Sequence, residues 1–360
     1  MNGISQTDAV QTAVVGVTGY AGAELARLLL RHPRLKGKPP IFAGRLDARD
    51  AERGGVPLAE IHPELVDSKG SGDLRLQPFS WELLSDLDVK VLFLATPHEQ
   101  SRAWVPEALE RGMRVIDLSG AWRLNEAANR EIYAFEDEGS TRAMKIQSEA
   151  VYGMPELHRA EIAKARLVAN PGCYATSIIL ALKPLVSAGL VDIDAGIIAD
   201  SKSGVSGAGK APTAKTHFMY AADNLSAYGV FAHRHMGELL EQIEVGSDAM
   251  IFTPHLLPIP RGILSTIYVR FKESQTRASV LHTYKTFFAG SPMVRLHESG
   301  LPQILHVART NYADIGFQLS ASGERAILVS CLDNLLKGAS SQAVQNLNVM
   351  HGWDEQEGLE

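Results

Sequence analysis

The N-terminal strand–loop–helix pattern constrains the fold of this chain more than any other feature of its sequence. Residues Thr12 to Val17 form a short apolar run with β-branched residues, and apolar residues at helical spacing follow from Ala23 to Leu30. Between them the chain reads GxxGxxG. Glycines here permit a tight turn and a close approach of the backbone to a pyrophosphate, which the helix N-terminus stabilises. We therefore predict a dinucleotide-binding loop, with the ligands Gly16, Thr18, Gly19, Tyr20, Ala21 and Gly22. Because the commoner spacing is GxGxxG, an ordinary strand–helix turn is the alternative.

The first half of the chain continues this alternation of strands and helices. Apolar runs at Pro40 to Ala43, Val89 to Ala95 and Met113 to Leu118 are separated by amphipathic stretches such as Ser101 to Arg111. Strands that alternate with helices form right-handed βαβ crossovers and hence a parallel sheet. The sequence thus predicts an α/β fold with a Rossmann-type domain over residues 1–172.

The second half of the chain has a different pattern. A helix is predicted from Cys173 to Ala188, and apolar strands follow at Ala195 to Ala199, Ala249 to Thr253 and Leu264 to Phe271, separated by glycine-rich or proline-rich loops. This pattern indicates an α+β catalytic and oligomerisation domain with a mostly antiparallel sheet over residues 173–329. Residues 330–360 are assigned to the first domain, because the last helix, Ala339 to Met350, is expected to pack against it.

The end of the second predicted strand indicates which dinucleotide is bound. An acidic residue there would bond a ribose 2′-hydroxyl, whereas an arginine accommodates a 2′-phosphate. Arg45 lies at this position, and Asp47 follows two residues later as the alternative. We predict NADP as the cofactor.

Composition and charge exclude several classes of protein. Hydrophobic residues make up 45% and charged residues 21% of the chain, as in globular proteins rather than disordered or membrane-spanning ones. The formal net charge of -6 argues against nucleic acid and against anionic membranes as partners. Two cysteines provide no disulfide framework, and residues 1–12 lack the basic start and apolar stretch of a signal peptide. These observations predict a cytoplasmic protein.

A glycine-rich segment, Gly204 to Lys210, matches the GxxxxGK pattern of a P-loop. The next residue is Ala211, where a P-loop needs Ser or Thr to hold Mg²⁺, so a phosphotransferase is disfavoured. The loop can still bind a phosphate through backbone amides. We therefore predict Ser203 and Gly204 as cofactor ligands, with a flexible surface loop as the alternative.

Cys173 is the candidate nucleophile. It follows a predicted strand, Ala165 to Ala169, and the turn residues Pro171 and Gly172, and it opens an apolar helix. A helix N-terminus favours negative charge, so this position predicts a lowered thiol pKa. An inert buried cysteine is the alternative, and Cys331, inside an apolar strand, is interpreted as one.

His233 and His235 are the candidate general bases, because a histidine can take the proton of a thiol and return it later. Both precede Glu238, but the cluster lacks a further metal ligand, and no metal is predicted. Arginines grip carboxylates and phosphates in a bidentate manner, which makes Arg123, Arg234 and Arg261 candidate substrate ligands.

Nine segments show that the chain resembles the aspartate-semialdehyde-dehydrogenase-like family, and within it the arginine-biosynthesis member. They lie between residues 16 and 346 and read GVTGYAGAEL, ATPHEQS, VIDLSGAWRL, YGMPELHR, NPGCYAT, SGVSGAGK, AHRHMGEL, PHLLPIPRGILSTIYV and DNLLKGASSQAVQN. The NPGCY motif with a downstream HRH is specific to this group, whereas the glycine fingerprint is not. The sequence departs from the usual pattern at Ala175, Gly237 and Glu99-Gln100.

The resemblance implies an NADPH-dependent reduction of N-acetyl-γ-glutamyl phosphate to a semialdehyde through a thioester on Cys173. It also implies His235 as the acid/base and assemblies of two or four chains. Asn334 resembles a residue that approaches the nicotinamide, and Asn170, His233, Arg123 and Arg234 are expected to contact the substrate.

Three alternatives to this function remain open at the level of sequence. The first is the same chemistry on aspartyl phosphate or a carrier-bound aminoadipyl phosphate. The second is the phosphotransferase that Ala211 disfavours. The third is a non-catalytic NADP-sensing binding protein, in which Cys173 would be unreactive.

Overall fold

The computed structural model describes residues 10–65 and 74–360. The predicted absence of a signal peptide concerns residues 1–12, of which 1–9 lie outside the described residues. Within the two described ranges, no helix combines the length and the apolar character that crossing a bilayer requires.

The first sheet contains eight described strands. They are β1 (Thr12–Val15), β2 (Ile41–Gly44), β3 (Val56–Pro57), β4 (Arg75–Pro78), β5 (Val91–Leu94), β6 (Arg114–Asp117), β7 (Ala150–Tyr152) and β8 (Leu167–Ala169). Their order is β3-β4-β2-β1-β5-β6-β8-β7, and every neighbouring pair is parallel except β3 with β4. The direction in which strands are added reverses between β1 and β5, which is where open parallel sheets bind ligands.

Helices cover both faces of this sheet. They are α1 (Tyr20–Arg31), α2 (Ala48–Glu52), α3 (Leu58–Ile61), α4 (Trp81–Asp86), α5 (His98–Glu110), α6 (Ala127–Arg130), α7 (Thr141–Glu149) and α8 (Pro155–Lys164). Alternate residues of β1 enter different cores: Val14 packs with Leu25 of α1, whereas Val15 packs with Val105 of α5. Because both faces are buried, the strand reads as a continuous apolar run.

The second sheet contains seven described strands. They are β9 (Ile197–Gly204), β10 (Ser226–Ala227), β11 (Met250–Leu257), β12 (Ile263–Arg270), β13 (Val294–Leu296), β14 (Ala313–Leu319) and β15 (Arg325–Leu332). The helices of this part are α9 (Cys173–Ser187), α10 (Phe218–Ala221), α11 (His235–Ile243), α12 (Arg277–Phe287) and α13 (Ile304–Val307). A π-helix, Leu336–Ser340, and α14 (Ser341–Met350) follow.

The second sheet is mixed, which corrects the expectation of a mostly antiparallel one. Its order is β10-β11-β9-β12-β15-β14-β13, and β9 with β11 and β13 with β14 are parallel. A helix lies in the chain between the two strands of each parallel pair: α11 separates β9 from β11, and α13 separates β13 from β14. Such a crossover returns the chain to the same end of the sheet, so the next strand runs parallel.

One face of the second sheet packs against α9, α11 and α12, whereas the other face is partly open. Four apolar side chains on the open face are more than 40% exposed, and they are Ile198, Ile251, Tyr268 and Ile327. The strand register pairs Ile251 with Ile198, Ile198 with Tyr268, and Tyr268 with Ile327. These residues form a continuous row across four strands, which we call the open-face row.

The C-terminal helix returns to the first sheet, as predicted. Val344 and Leu347 of α14 share a core with Leu25 and Leu29 of α1. Just before α14, the Ser340 hydroxyl donates to the carbonyl oxygen of Ala21 at 2.7 Å. The C-terminal segment therefore holds the helix that follows the glycine-rich loop.

Candidate active site

The glycine-rich loop after β1 has no room for side chains at two of its three glycines. Gly16 has a φ of +99°, and a Cβ there would lie 2.2 Å from the carbonyl oxygen of Ala95. A Cβ on Gly22 would lie 2.1 Å from the oxygen of Gly16. The loop therefore turns tightly into α1, and no side chain caps this helix. Its first amides remain free to meet an anion.

A cleft of about 540 Å³ opens beside this loop. Gly16, Thr18, Gly19 and Arg45 of the predicted cofactor set line it, whereas Tyr20, Ala21 and Gly22 form the first turn of α1 behind it. The cleft also contains Phe79 and Trp104, whose rings stack with centroids 4.5 Å apart. These two aromatic residues were not predicted from the sequence, because no motif surrounds them. The shape and the glycine loop fit a dinucleotide.

Arg45 and Asp47 have different environments. The Asp47 carboxylate accepts the backbone N–H of Asp50 at 2.8 Å and thereby caps α2. Arg45 is exposed and makes no ion pair or hydrogen bond with the residues that the structure describes. Of the two candidates, only Arg45 lines the cleft.

Cys173 is the first residue of α9, directly after β8 and the turn at Pro171 and Gly172. It lines a second cleft, of about 280 Å³, together with Ser203, His233, Arg234 and His235 of the predicted site. On its other side the chain approaches so closely that a Cβ on Gly338 of the π-helix would lie 2.7 Å from the Cys173 Cβ. Cys173 is thus held between the cleft and the C-terminal segment.

The pKa of the Cys173 thiol does not follow the prediction from the helix N-terminus. Burial raises this pKa to about 11, against the opposing effects of the Tyr174 backbone N–H and the positive charge of Arg123. In the protein without ligands the thiol is therefore protonated at neutral pH, and a base must remove its proton. Cys331 is fully buried as predicted, and burial raises its pKa to about 12.

His235 lies against the residue that precedes the nucleophile. A Cβ on Gly172 would be 2.4 Å from His235 Nε2, so only glycine leaves the imidazole in this position. Burial, with the nearby charges of Arg123 and Arg234, holds the pKa of His235 well below its usual value. Its Nδ1 is buried and has no hydrogen-bond partner among the described residues. The ring is neutral and can accept a proton.

Glu238 connects these parts of the site, and the sequence analysis did not assign it a role. Its carboxylate is fully buried and accepts the N–H of Gly172 at 2.9 Å and the hydroxyl of Tyr152 at 2.7 Å. It also pairs with the Arg123 guanidinium at 3.1 Å and lies 4.0 Å from His235 Nε2. Glu238 lies one helical turn after His235 in α11, and its bonds fix the turn before Cys173. With its oxygens bonded in this way, it is not available to a metal held by His233 and His235.

Two predicted substrate ligands have structural partners instead. The Arg123 guanidinium is buried and also donates to the carbonyl oxygens of Asn170 and Leu118, each at 2.7 Å. The Asn170 side chain donates to Ala339 O at 2.9 Å and accepts from Asn346 at 3.0 Å. Neither residue lines the cleft, and Arg123 binds the Asn170 carbonyl directly before the Pro171–Gly172 turn; their contact with the substrate stays a prediction.

His233 and Arg234 differ in exposure, although they are neighbours in the cleft. His233 Nδ1 accepts the backbone N–H of His235 at 3.1 Å, and burial together with His235 lowers its pKa to about 3. Arg234 is exposed, and its guanidinium lies 3.4 Å from His98 Nδ1. Lys215 lines the same cleft, and the sequence analysis missed it. The cleft thus has two cationic side chains at its surface and a neutral interior.

The loop after β9 connects the two clefts. No α-helix begins directly at Lys210, as a P-loop would require, because the next helix in the chain is α10; Val205–Ala208 form a 3₁₀ turn. Lys210 Nζ instead donates to the carbonyl oxygen of Thr18 in the glycine-rich loop. Asn334 supports the loop, because its side chain accepts from the Gly262 N–H at 2.8 Å and donates to Ser206 at 2.9 Å.

Arg261 connects the two parts of the chain. Its guanidinium forms ion pairs with Glu24 of α1 and with Asp333, which precedes Asn334. A contact of Arg261 with the substrate stays a prediction.

Comparisons with known proteins agree with this architecture. The family model of the semialdehyde dehydrogenase NAD-binding domain matches residues 11–165, and that of the semialdehyde dehydrogenase dimerisation domain matches residues 173–334. An aspartate semialdehyde dehydrogenase II from Vibrio cholerae, solved in complex with ASA, superposes with a TM-score of 0.67. That match has 19% identity and covers 95% of this chain and 98% of the other. Fold and family models together define a protein of the semialdehyde dehydrogenase class.

Curated relatives give a narrower assignment. N-acetyl-gamma-glutamyl-phosphate reductase of Methanococcus maripaludis is 41% identical over 351 residues, which cover 96% of this chain and 97% of that protein. The enzyme of the same name from Geobacillus stearothermophilus is 40% identical over 354 residues, with coverages of 97% and 98%. The chain belongs to the N-acetyl-gamma-glutamyl-phosphate reductase family.

Proposed function

We propose that the protein reduces N-acetyl-γ-glutamyl phosphate to N-acetylglutamate semialdehyde and phosphate, through a thioester on Cys173, as a step of arginine biosynthesis. The observation that carries this proposal is that Cys173 lines the same cleft as His235, whose side chain is only 15% exposed and whose pKa is lowered. This cleft adjoins the dinucleotide cleft through the loop that contacts Thr18. The names of the full-length relatives supply the substrate.

The first step forms the thioester. His235 accepts the proton of the Cys173 thiol, and the thiolate sulfur attacks the acyl carbon as the bond to phosphate breaks. The proton then leaves His235 with the phosphate. Arg234 and Lys215 provide positive charge where the acyl phosphate enters, and the first amides of α9 can stabilise the oxyanion.

The second step releases the aldehyde. When bound, the nicotinamide cofactor supplies a hydride to the thioester carbon. Addition of the hydride gives the oxyanion of a thiohemiacetal, which collapses to the semialdehyde as the bond between carbon and sulfur breaks. The departing thiolate of Cys173 takes a proton that His235 relays from solvent, and this proton replaces the one that left with the phosphate. Glu238 and Arg123 touch no reacting atom in this scheme, but they hold the Gly172 turn and thus the relative position of the two catalytic groups.

We further propose that the cofactor is NADP(H). Arg45 at the end of β2 is exposed and free to pair with a 2′-phosphate, whereas Asp47 is used as a helix cap. Ser203 and Gly204, with Asn334 behind their loop, are proposed to contact the cofactor from the second sheet, as Lys210 already reaches the glycine-rich loop.

The quaternary structure is proposed to be a homo-oligomer built on the second sheet. The open-face row offers four apolar residues in register, and the family model for this part describes a dimerisation domain. A flat, apolar sheet face is typical of self-association. We also propose two domains, one formed by residues 1–172 and 330–360 and the other by residues 173–329. A cytoplasmic location is likewise a proposal.

The reverse reaction tests the proposed function. The protein is mixed with N-acetylglutamate semialdehyde, phosphate and NADP⁺, and the absorbance of the reduced cofactor is followed. We expect phosphate-dependent reduction of NADP⁺ that is absent in Cys173→Ala and much slower with aspartate semialdehyde. Activity only with aspartate semialdehyde would assign a different substrate to the same chemistry. No activity with either aldehyde would contradict the thioester mechanism and favour the non-catalytic alternative.

A further inference from the structure

A cluster of metal-ligand residues lies at the edge of the second sheet, away from both clefts. His297 follows β13, His306 belongs to α13 and Asp314 lies in β14. Each offers one potential ligand atom, and these atoms all lie within 4.8 Å of one another. None of the three lines either cleft of the candidate active site. The three residues come from separate elements, so only the tertiary fold brings them together.

The carboxylate of Asp314 is already oriented toward the two imidazoles. It is 2% exposed, and its Oδ1 accepts from Arg295 Nε at 2.6 Å, which leaves Oδ2 facing His297 Nε2 at 2.8 Å. Carboxylates that bind a metal ion are usually held in position by a hydrogen bond from another residue, as Asp314 is by Arg295. The rings of His297 and His306 are nearly parallel, with centroids 6.0 Å apart.

We propose that His297, His306 and Asp314 bind a divalent transition-metal ion, with Zn²⁺ as the matching species. Two imidazole nitrogens and one carboxylate oxygen are a known three-ligand set for zinc, with water in the fourth position. Calcium and magnesium prefer oxygen ligands throughout and do not fit this set. Binding of the ion replaces the contact between His297 Nε2 and Asp314 Oδ2 with bonds from both atoms to the metal.

A tetrahedral zinc site requires only a small movement of His306, which is the exposed residue of the three. Tetrahedral zinc with bonds of about 2.0–2.2 Å places its ligand atoms about 3.3 Å apart. His306 is exposed on a helix of four residues, and its Nδ1 accepts the Gln303 N–H at a long 3.3 Å. Moving this ring toward Asp314 therefore disrupts little. The positive charge of Arg295 opposes the ion, so we expect micromolar rather than nanomolar affinity.

The ion would connect the end of β13, α13 and β14. Val307 of α13 packs on Val329 and Cys331 of β15, and so covers one end of the open sheet face. The proposed role is therefore structural, as a clamp on this edge of the second sheet. It is independent of the reaction assigned to Cys173.

Calorimetric titration of the full-length protein with Zn²⁺ tests the site. Cys173→Ala serves as the background, so that binding of zinc to this free thiol does not contribute to the titration. We expect one Zn²⁺ per chain, an affinity at least about tenfold lower after His306→Ala, and no change after His282→Ala, which removes another exposed histidine. Cobalt in place of zinc should give the visible absorption of a tetrahedral ion, lost in the same variant.

Three results would overturn the proposal. They are the absence of stoichiometric zinc binding in the background protein, equal affinity in the His306→Ala variant, and an equal loss in the His282→Ala control. Thermal unfolding provides a second measurement, since a ligand that binds only the folded state raises the melting temperature. Zinc should raise it in the background protein and not after His306→Ala.

Discussion

Replacing Gly172 with alanine tests whether the position of His235 depends on the absence of a side chain before the nucleophile. The backbone at Gly172 has φ −74° and ψ 146°, a conformation that alanine adopts without strain. The new methyl group would, however, lie 2.4 Å from His235 Nε2 and 2.7 Å from Glu238 Oε1. The substitution therefore acts on the neighbours of the residue and not on the backbone.

The size of the effect follows from these distances. Ordinary contacts of a Cβ begin at 3.4 Å, so the imidazole must retreat by about 1 Å. A displacement of about 1 Å in a catalytic group costs roughly 10²-fold in rate. This loss corresponds to about 2.7 kcal/mol of transition-state stabilisation. We expect kcat of Gly172→Ala to fall about 100-fold while KM for the dinucleotide stays unchanged, because the dinucleotide cleft is not involved.

Steady-state kinetics of the reverse reaction measures this change, and Gly246→Ala is the matched control. Gly246 has φ −70° and ψ 158°, also precedes a helical turn, and would place its Cβ in open space. The control should retain full activity, and circular dichroism should show native folds for both variants. A Gly172→Ala protein with more than half of the wild-type kcat would refute the assignment of His235 as a base held by this contact.

Three further predictions concern other parts of the site. In Cys331→Ala, the alkylation rate of the remaining thiol should rise about tenfold per pH unit toward the Cys173 pKa of about 11, and a plateau at neutral pH would refute the effect of burial. Arg45→Ala should raise KM for NADPH about 10–100-fold in steady-state assays, since charged hydrogen bonds contribute about 1.5–3 kcal/mol. An equal change with NADH would contradict a 2′-phosphate contact. Glu238→Gln should lower the free energy of unfolding by about 3–5 kcal/mol in urea titrations, because it leaves the Arg123 charge buried and unpaired. A decrease in this free energy of less than about 1 kcal/mol, which is typical of exposed ion pairs, would contradict the burial of the pair.

Local patterns were sufficient to predict the place of Cys173 and five strands of the first sheet, β1, β2, β5, β6 and β8, whereas β3, β4 and β7 were not predicted. The βα alternation and the glycine-rich loop are both encoded within short stretches of sequence. The turn at Pro171 and Gly172 and the apolar helix after Cys173 are local signals as well. Each of these features depends on neighbouring residues, so the sequence alone determines it.

Features that depend on distant residues could not be predicted in this way. Glu238 bonds Gly172 and Tyr152, which lie 66 and 86 positions away, so its place in the site became evident only from the fold. The pKa of Cys173 depends on a competition between the helix N-terminus and burial, and a sequence does not give burial. The guanidinium of Arg123 suits a substrate carboxylate and a protein carboxylate equally well.

The extent of β9 illustrates a further limit. The predicted strand ends at Ala199, because the polar residues after it are typical of a loop, but the strand continues to Gly204. Ser201 is buried, and its hydroxyl donates to Ser265 at 2.8 Å, which in turn accepts from Ser177 of α9 at 2.9 Å. Buried hydroxyl groups are tolerated in a core when they form hydrogen bonds with one another. The hydropathy of the sequence does not reveal such bonds, because the partners lie on different strands and helices.

The contacts of the C-terminal segment have a consequence for the order in which the protein is made. Gly338 packs against Cys173 and Ser340 holds the turn after Ala21, yet the ribosome synthesises both residues after the parts that they contact. A nascent chain that still lacks the π-helix and α14 therefore leaves Cys173 uncovered on one side and α1 without this support. Both parts of the site are completed only when contacts across more than 150 residues close.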